Sequence, residues 1–165
     1  GEIEAAIGIE QLKKLKKIVK KKQKTAKILF NGLKNLKGLN LPVIEKNFTH
    51  SYYVFAMSIN TNIIKTKTSD IKNFLSEKGI KVSNKYQNLH LLPIFQNKVA
   101  YDKNFPWILN KRKINYKKVI CPNADYLHDK AFIGLNLCNF DYSDQDMKFI
   151  IKCFKSIWEK KVLFF

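Results

Sequence analysis

The sequence predicts a small two-layer α/β fold, in which one long N-terminal helix precedes a mixed or antiparallel sheet covered by helices. Three observations carry this prediction. One apolar stripe repeats at helical spacing over residues 3–36, the run 51–59 alternates with period two, and residues 143–158 return to helical spacing behind a capping signal. A chain of 165 residues can bury a real core, and 45% hydrophobic residues with 12 Phe argue against disorder.

Taken in order, Ile3, Ile7, Leu12, Leu15, Val19, Ala26, Leu29, Leu33 and Leu36 paint one face of the first helix, assigned to residues 1–37 as a linking element. Gly38 and Pro42 stop it. Its clustered lysines (13, 14, 16, 17, 20, 21 and 22) repel one another, so tertiary docking must hold it. In the strand 51–59, Tyr53, Phe55, Met57 and Ile59 point one way and Tyr52, Val54, Ala56 and Ser58 the other. Both sets are fairly apolar, which predicts a central strand covered on both sides. Ser69 and Asp70 open a short helix that Gly79 closes, and Ile80–Val82 forms a second strand. Residues 84–120 show no periodicity, the pattern of a functional or mobile segment. Pro122 suits the first turn of a helix to about Lys130, and 131–137 reads as a third strand. Ser143-Asp144-Gln145-Asp146 resembles a capping box with Asp for Glu; it opens a last helix that buries Met147, Ile150, Ile151, Phe154, Ile157 and Trp158.

Composition excludes several classes of function. The longest apolar runs are too short to span a membrane, and no secretory signal is present, which predicts a cytoplasmic protein. Cys121, Cys138 and Cys153 are odd in number and lack Cys-x-x-Cys spacing; they read as packing residues rather than a disulfide framework or zinc site. The net charge of +18 suits either a lysine-rich solvated surface or a basic nucleic-acid-binding domain. Only Arg112 is an arginine and the other 30 basic residues are lysines, which favours the surface, because base readout and bidentate phosphate binding favour Arg.

Local chemistry is sparse. His50, His90 and His128 are far apart, each reading singly as a surface or hydrogen-bonded histidine, and no metal is predicted. The six glycines form no phosphate loop, and Asp141, Asp144 and Asp146 are explained by a helix start. The most suggestive stretch is Lys85-Tyr86-Gln87-Asn88-Leu89-His90-Leu91-Leu92-Pro93, which gathers an ammonium, a phenol and an imidazole that can donate to ligand hydroxyls or phosphates.

Five segments together carry a family resemblance. Glu2-Ile3-Glu4-Ala5-Ala6-Ile7-Gly8-Ile9-Glu10-Gln11-Leu12 and His50-Ser51-Tyr52-Tyr53-Val54-Phe55 come first. Tyr86–Pro93 matches a Tyr-x-Pro-Leu-His-Leu-Gln-Pro loop, Cys121-Pro122-Asn123-Ala124-Asp125 a Cys/Phe-Pro-x-Ala-Glu helix start, and Tyr142–Asp146 a Leu-Thr/Ser-Asp-Glu-Asp start. In this order they resemble the C-terminal portion of the DegT/StrS family of PLP-dependent sugar aminotransferases, across nearly the whole chain. The resemblance implies that residues 1–165 are the small C-terminal domain of the aspartate-aminotransferase fold. It implies a cytoplasmic homodimer that moves an amino group from glutamate to a nucleotide-linked keto-sugar in polysaccharide or cell-surface sugar synthesis, without nucleic-acid or membrane partners. The cofactor is pyridoxal 5'-phosphate. Its Schiff-base lysine and ring-nitrogen Asp belong to an upstream large domain, so the chain reads as incomplete at its N-terminus, holds no catalytic residue and is inactive alone. By matching position, Glu2 lies near the cofactor, and Tyr86 and His90 border the sugar-nucleotide pocket, where Lys85 meets a phosphate. The chain departs from the pattern at Lys85 (often His), Asn88 (Pro) and Leu92 (Gln), and inserts 102–119. The same resemblance leaves room for a catalytically dead regulatory relative.

Overall fold

The structure, a computed structural model, describes residues 1–83, 87–112, 114–117 and 119–165. Helix α1 spans Glu2–Leu33 and is followed by strand β1 (Leu39–Asn40), strand β2 (Phe55–Ile59), helix α2 (Thr68–Glu77) and strand β3 (Val82–Ser83). Short helices α3 (Pro93–Gln96) and α4 (Pro122–Tyr126), strand β4 (Phe132–Leu135) and helix α5 (Asp144–Lys160) complete the chain. The strands form one antiparallel sheet in the order β1-β2-β4-β3. Its central pair is in register with Phe55 opposite Leu135 and Met57 opposite Ile133.

The period-two reading of β2 holds for one face. Phe55, Met57 and Ile59 are buried and meet Leu29 and Leu33 of α1, Ile71 and Leu75 of α2, and Met147, Phe154 and Ile157 of α5 in one apolar core. The strand is central in the sheet, as expected, but it is not covered on both sides: Ala56 on the opposite face is exposed. It is also shorter than 51–59, because Tyr52 adopts a left-handed φ of 55° that breaks the extended run.

The long helix ends earlier than residue 37, and its stripe is only half used. Thr25, Ala26, Leu29 and Leu33 are buried, whereas Ile3, Ile7, Leu12, Leu15 and Ile18 are exposed. Where α1 meets α5, Gly32 allows the two helices to close: a Cβ at this position would overlap the Ile151 side chain. Gly79 lies in the left-handed region (φ 76°) just past α2, and the Ile80 amide donates to the Leu75 carbonyl at 2.9 Å, so the predicted glycine stop is present. The predicted start is displaced, with Lys67 rather than Ser69 or Asp70 at the N-cap.

Helix α5 starts as its sequence says. The Asp146 amide donates to Ser143 Oγ at 3.2 Å, and the Ser143 amide donates to Asp146 Oδ2 at 2.7 Å, closing the capping box. The hydroxyl and amide of Ser143 hold the Asp146 carboxyl below the usual carboxylate range. Cys153 joins the core, but Cys121 and Cys138 are exposed, so two of the three thiols do not pack as expected. Among the described residues, no helix is long and apolar enough to cross a membrane.

Candidate functional site

The described parts of residues 84–120 form short 3-10 turns and one short helix. Leu89–Leu91 forms one 3-10 turn and runs into α3, whose first residue is Pro93. Helix α4 opens at Pro122, as predicted, but widens after one turn into a π-type turn, Leu127–Ala131, that feeds β4. On β4, Ile133 and Leu135 point into the core, so Phe132 projects to the other face. Between Phe132, α4 and the turn at Leu89 lies a cavity of about 550 Å³. Phe95, Tyr116 and Leu127 contribute to its largely apolar wall, and His90 and Asn88 are its buried polar residues.

His90 is only 7% exposed, which overturns its reading as an ordinary surface or satisfied histidine. Its Nε2 is sealed from solvent without a hydrogen-bond partner, although Asp125 Oδ1 lies 3.3 Å away. Asp125 is itself buried: Oδ1 accepts from Asn88 Nδ2 at 2.7 Å, and Oδ2 accepts from the Val119 amide at 2.6 Å. The His90 carbonyl accepts from Gln96 Nε2 at 2.6 Å, and the same amide group donates to the Tyr116 carbonyl. Trp107 Nε1 donates to the Tyr116 hydroxyl at 3.0 Å, and Phe95 contacts both rings. Tyr116 of the inserted segment thus contributes to the cavity lining.

Of the other histidines, His128 also lines this cavity. Lys85 and Tyr86 lie outside the described residues. Glu2 is exposed at the start of α1 and does not line the cavity. His50 Nδ1 accepts from the Tyr52 amide at 2.8 Å, and His128 Nδ1 lies 2.8 Å from Asp129 Oδ1, so these two histidines are locally satisfied. Among the described residues, no three His, Cys, Asp or Glu side chains converge as a metal would require. Sequence reasoning missed Asp125, which it treated as part of a helix start, and Asn88, which it noted only as a departure from Pro. The two are 37 residues apart and meet only in the fold.

The fold is that seen in part of several aminotransferase structures. The sugar-aminotransferase candidate Spr1654 of Streptococcus pneumoniae, in its PLP form, superposes with a TM-score of 0.68 at 20% identity over 97% of this chain and 36% of its own. A DegT DnrJ EryC1 StrS aminotransferase from Brucella abortus gives a TM-score of 0.67 at 15% identity, covering 92% of this chain and 34% of its own. The protein MJ1066 of Methanocaldococcus jannaschii is 29% identical over 129 residues, which is 78% of this chain and 30% of that protein. Residues 1–125 match the DegT/DnrJ/EryC1/StrS aminotransferase family, and the chain belongs to it. It spans about one third of the length of the relatives it matches.

Proposed function

We propose that this chain is the small domain of a PLP-dependent enzyme that transfers an amino group from glutamate to a nucleotide-linked keto-sugar. Its family membership over residues 1–125 carries the reading. A PLP site needs a lysine for the Schiff base and a carboxylate for the ring nitrogen. The residues around His90 do not fit that requirement: no described lysine lines the cavity, and both oxygens of Asp125 accept hydrogen bonds from Asn88 and Val119. We therefore assign the cofactor and its catalytic lysine to a large domain outside these residues, and assign substrate binding to this one. His90 is its central polar contact, with Tyr86 and Lys85 beside it in sequence and Glu2 at the cofactor side. The intact enzyme would act as a homodimer in the cytoplasm, in surface-sugar synthesis.

The test is amino transfer by the intact protein, supplied with PLP, glutamate and nucleotide-linked keto-sugars, read as 2-oxoglutarate released. The 165-residue chain alone should show no Schiff-base absorption band with PLP. His90→Ala in the intact protein should raise the sugar-nucleotide KM and leave PLP affinity unchanged. No 2-oxoglutarate from any such sugar, or equal loss of both affinities, would defeat the reading.

A further inference from the structure

We propose that Asp125 is a positioning residue for His90: it fixes the imidazole proton on Nε2 and leaves Nδ1 as an acceptor for a ligand hydroxyl. The second half of this statement rests on the substrate-binding reading above; the first does not.

Asn88 and His90 are buried residues of the cavity lining, and Asp125, also buried, lies against both. Both oxygens of Asp125 act as acceptors, one toward the Asn88 amide and one toward the Val119 N–H. His90 Nε2 lies 3.3 Å from Oδ1 and is sealed from water, with no other partner among the described residues. Nε2 approaches Oδ1 to 3.3 Å without reaching hydrogen-bond alignment, and at that distance a lone pair on Nε2 is repelled by the lone pairs of the carboxylate, whereas a proton is attracted. Burial raises the cost of the wrong choice, because water cannot compensate it. A neutral imidazole carries one ring proton, so placing it on Nε2 makes Nδ1 the acceptor. Nδ1 has no hydrogen bond among the described residues, and of the two ring nitrogens only Nε2 is fully sealed. Gln96 holds the backbone of the same residue through its carbonyl, so ring and main chain are both anchored.

The assignment reverses the donor role expected from sequence. A phosphate oxygen has no proton to give and matches an acceptor nitrogen poorly, whereas a sugar hydroxyl can donate to it. His90 therefore reads the polyhydroxy part of a nucleotide sugar rather than its diphosphate. Two of the positions that depart from the family pattern, Asn88 for Pro and Asp125 for Glu, are joined by the 2.7 Å hydrogen bond. Proline has no side-chain N–H with which to make it.

The experiment is long-range ¹H–¹⁵N correlation of the histidine rings in the 165-residue chain near neutral pH, with His90 assigned by its loss in His90→Gln. The expected result is one tautomer at His90, with Nε2 protonated and Nδ1 bare. Asp125→Ala should give a mixture of tautomers, and Asp125→Glu should restore the single form. A protonated Nδ1 in the unsubstituted chain overturns the proposal without any variant having to fold, and so does an unchanged ring in Asp125→Ala. In the intact protein, uridine diphosphate glucose should shift the Nδ1 signal upfield, and inorganic pyrophosphate should not. Loss of that hydroxyl contact in His90→Ala should weaken binding of the sugar nucleotide roughly tenfold. A response to pyrophosphate alone overturns the acceptor role. A fixed Nε2–H with no response to the sugar means that the substrate reading fails while the positioning by Asp125 stands.

Discussion

Replacing Gly32 by Ala sets two effects of opposite sign against each other. In an isolated helix the change is favourable by about 1 kcal/mol, since Gly loses more backbone freedom than Ala on folding. In this fold the new methyl would meet three carbons of Ile151, including its Cγ1 at 2.7 Å and Cγ2 at 2.9 Å. Those two atoms branch directly from Cβ, and a β-branched side chain on a helix has essentially one χ1 rotamer, so it cannot swing aside. Helices α1 and α5 must then separate locally, and overpacking of this kind costs about 1–3 kcal/mol. The net expectation is a loss of about 1 kcal/mol. With a urea m-value of about 2 kcal/mol/M, the unfolding midpoint falls by roughly 0.5 M. Urea titration followed by fluorescence of the buried Trp158 measures it. In an Ile151→Ala background the overlap is gone, and the same substitution should become stabilising by about 1 kcal/mol. A Gly32→Ala variant more stable than the parent would refute the close approach of α1 and α5.

Other outcomes follow from the same packing. Leu29→Ala, in the core, should cost about 2–5 kcal/mol in urea unfolding, whereas Leu12→Ala, on the exposed part of α1, should stay within about 0.5 kcal/mol. Ser143→Ala removes the N-cap of α5 and should cost about 1 kcal/mol, seen as a lower thermal midpoint. Because the folded Asp146 carboxyl sits below its ordinary range, its contribution is present above that range and is lost as pH falls through the lowered value. Ser143→Ala should flatten this acid limb of the stability curve, and an unchanged limb would show that the cap does not couple to it. An aromatic disulfide reagent should modify Cys121 and Cys138 quickly and Cys153 only as fast as the protein unfolds; three equally fast thiols would contradict the burial of Cys153.

What could be read from the sequence follows the range of each interaction. The start of α5 was legible because its capping box closes within three residues. The inward face of β2 was legible because its partners need only be apolar. The stripe on α1 was legible as a pattern, but the docking expected of the helix involves only its part from Lys22 onward: spacing says which side of a helix would pack, not whether anything packs there. Strand lengths were overestimated, since a left-handed residue such as Tyr52 leaves no signal in hydropathy. The site was half legible. The motif around His90 falls on the wall of a cavity, but the partnership of Asn88 with Asp125 and the contribution of Tyr116 to that wall depend on residues brought together from distant segments. No local periodicity encodes such meetings.

The uneven burial of α1 divides one continuous helix into two thermodynamic parts. Residues from Lys22 onward share the core, so their amides should exchange with solvent only on global unfolding. Nearly every side chain from Glu2 to Lys20 is exposed, and backbone hydrogen bonds alone hold a lysine-crowded helix weakly. Their amides should exchange by fraying, with protection rising steeply near residue 21. That gradient makes the first half of α1 a sensitive reporter: any surface that comes to cover Ile7, Leu12 and Leu15 would announce itself as slowed exchange there, before any change in the rest of the fold.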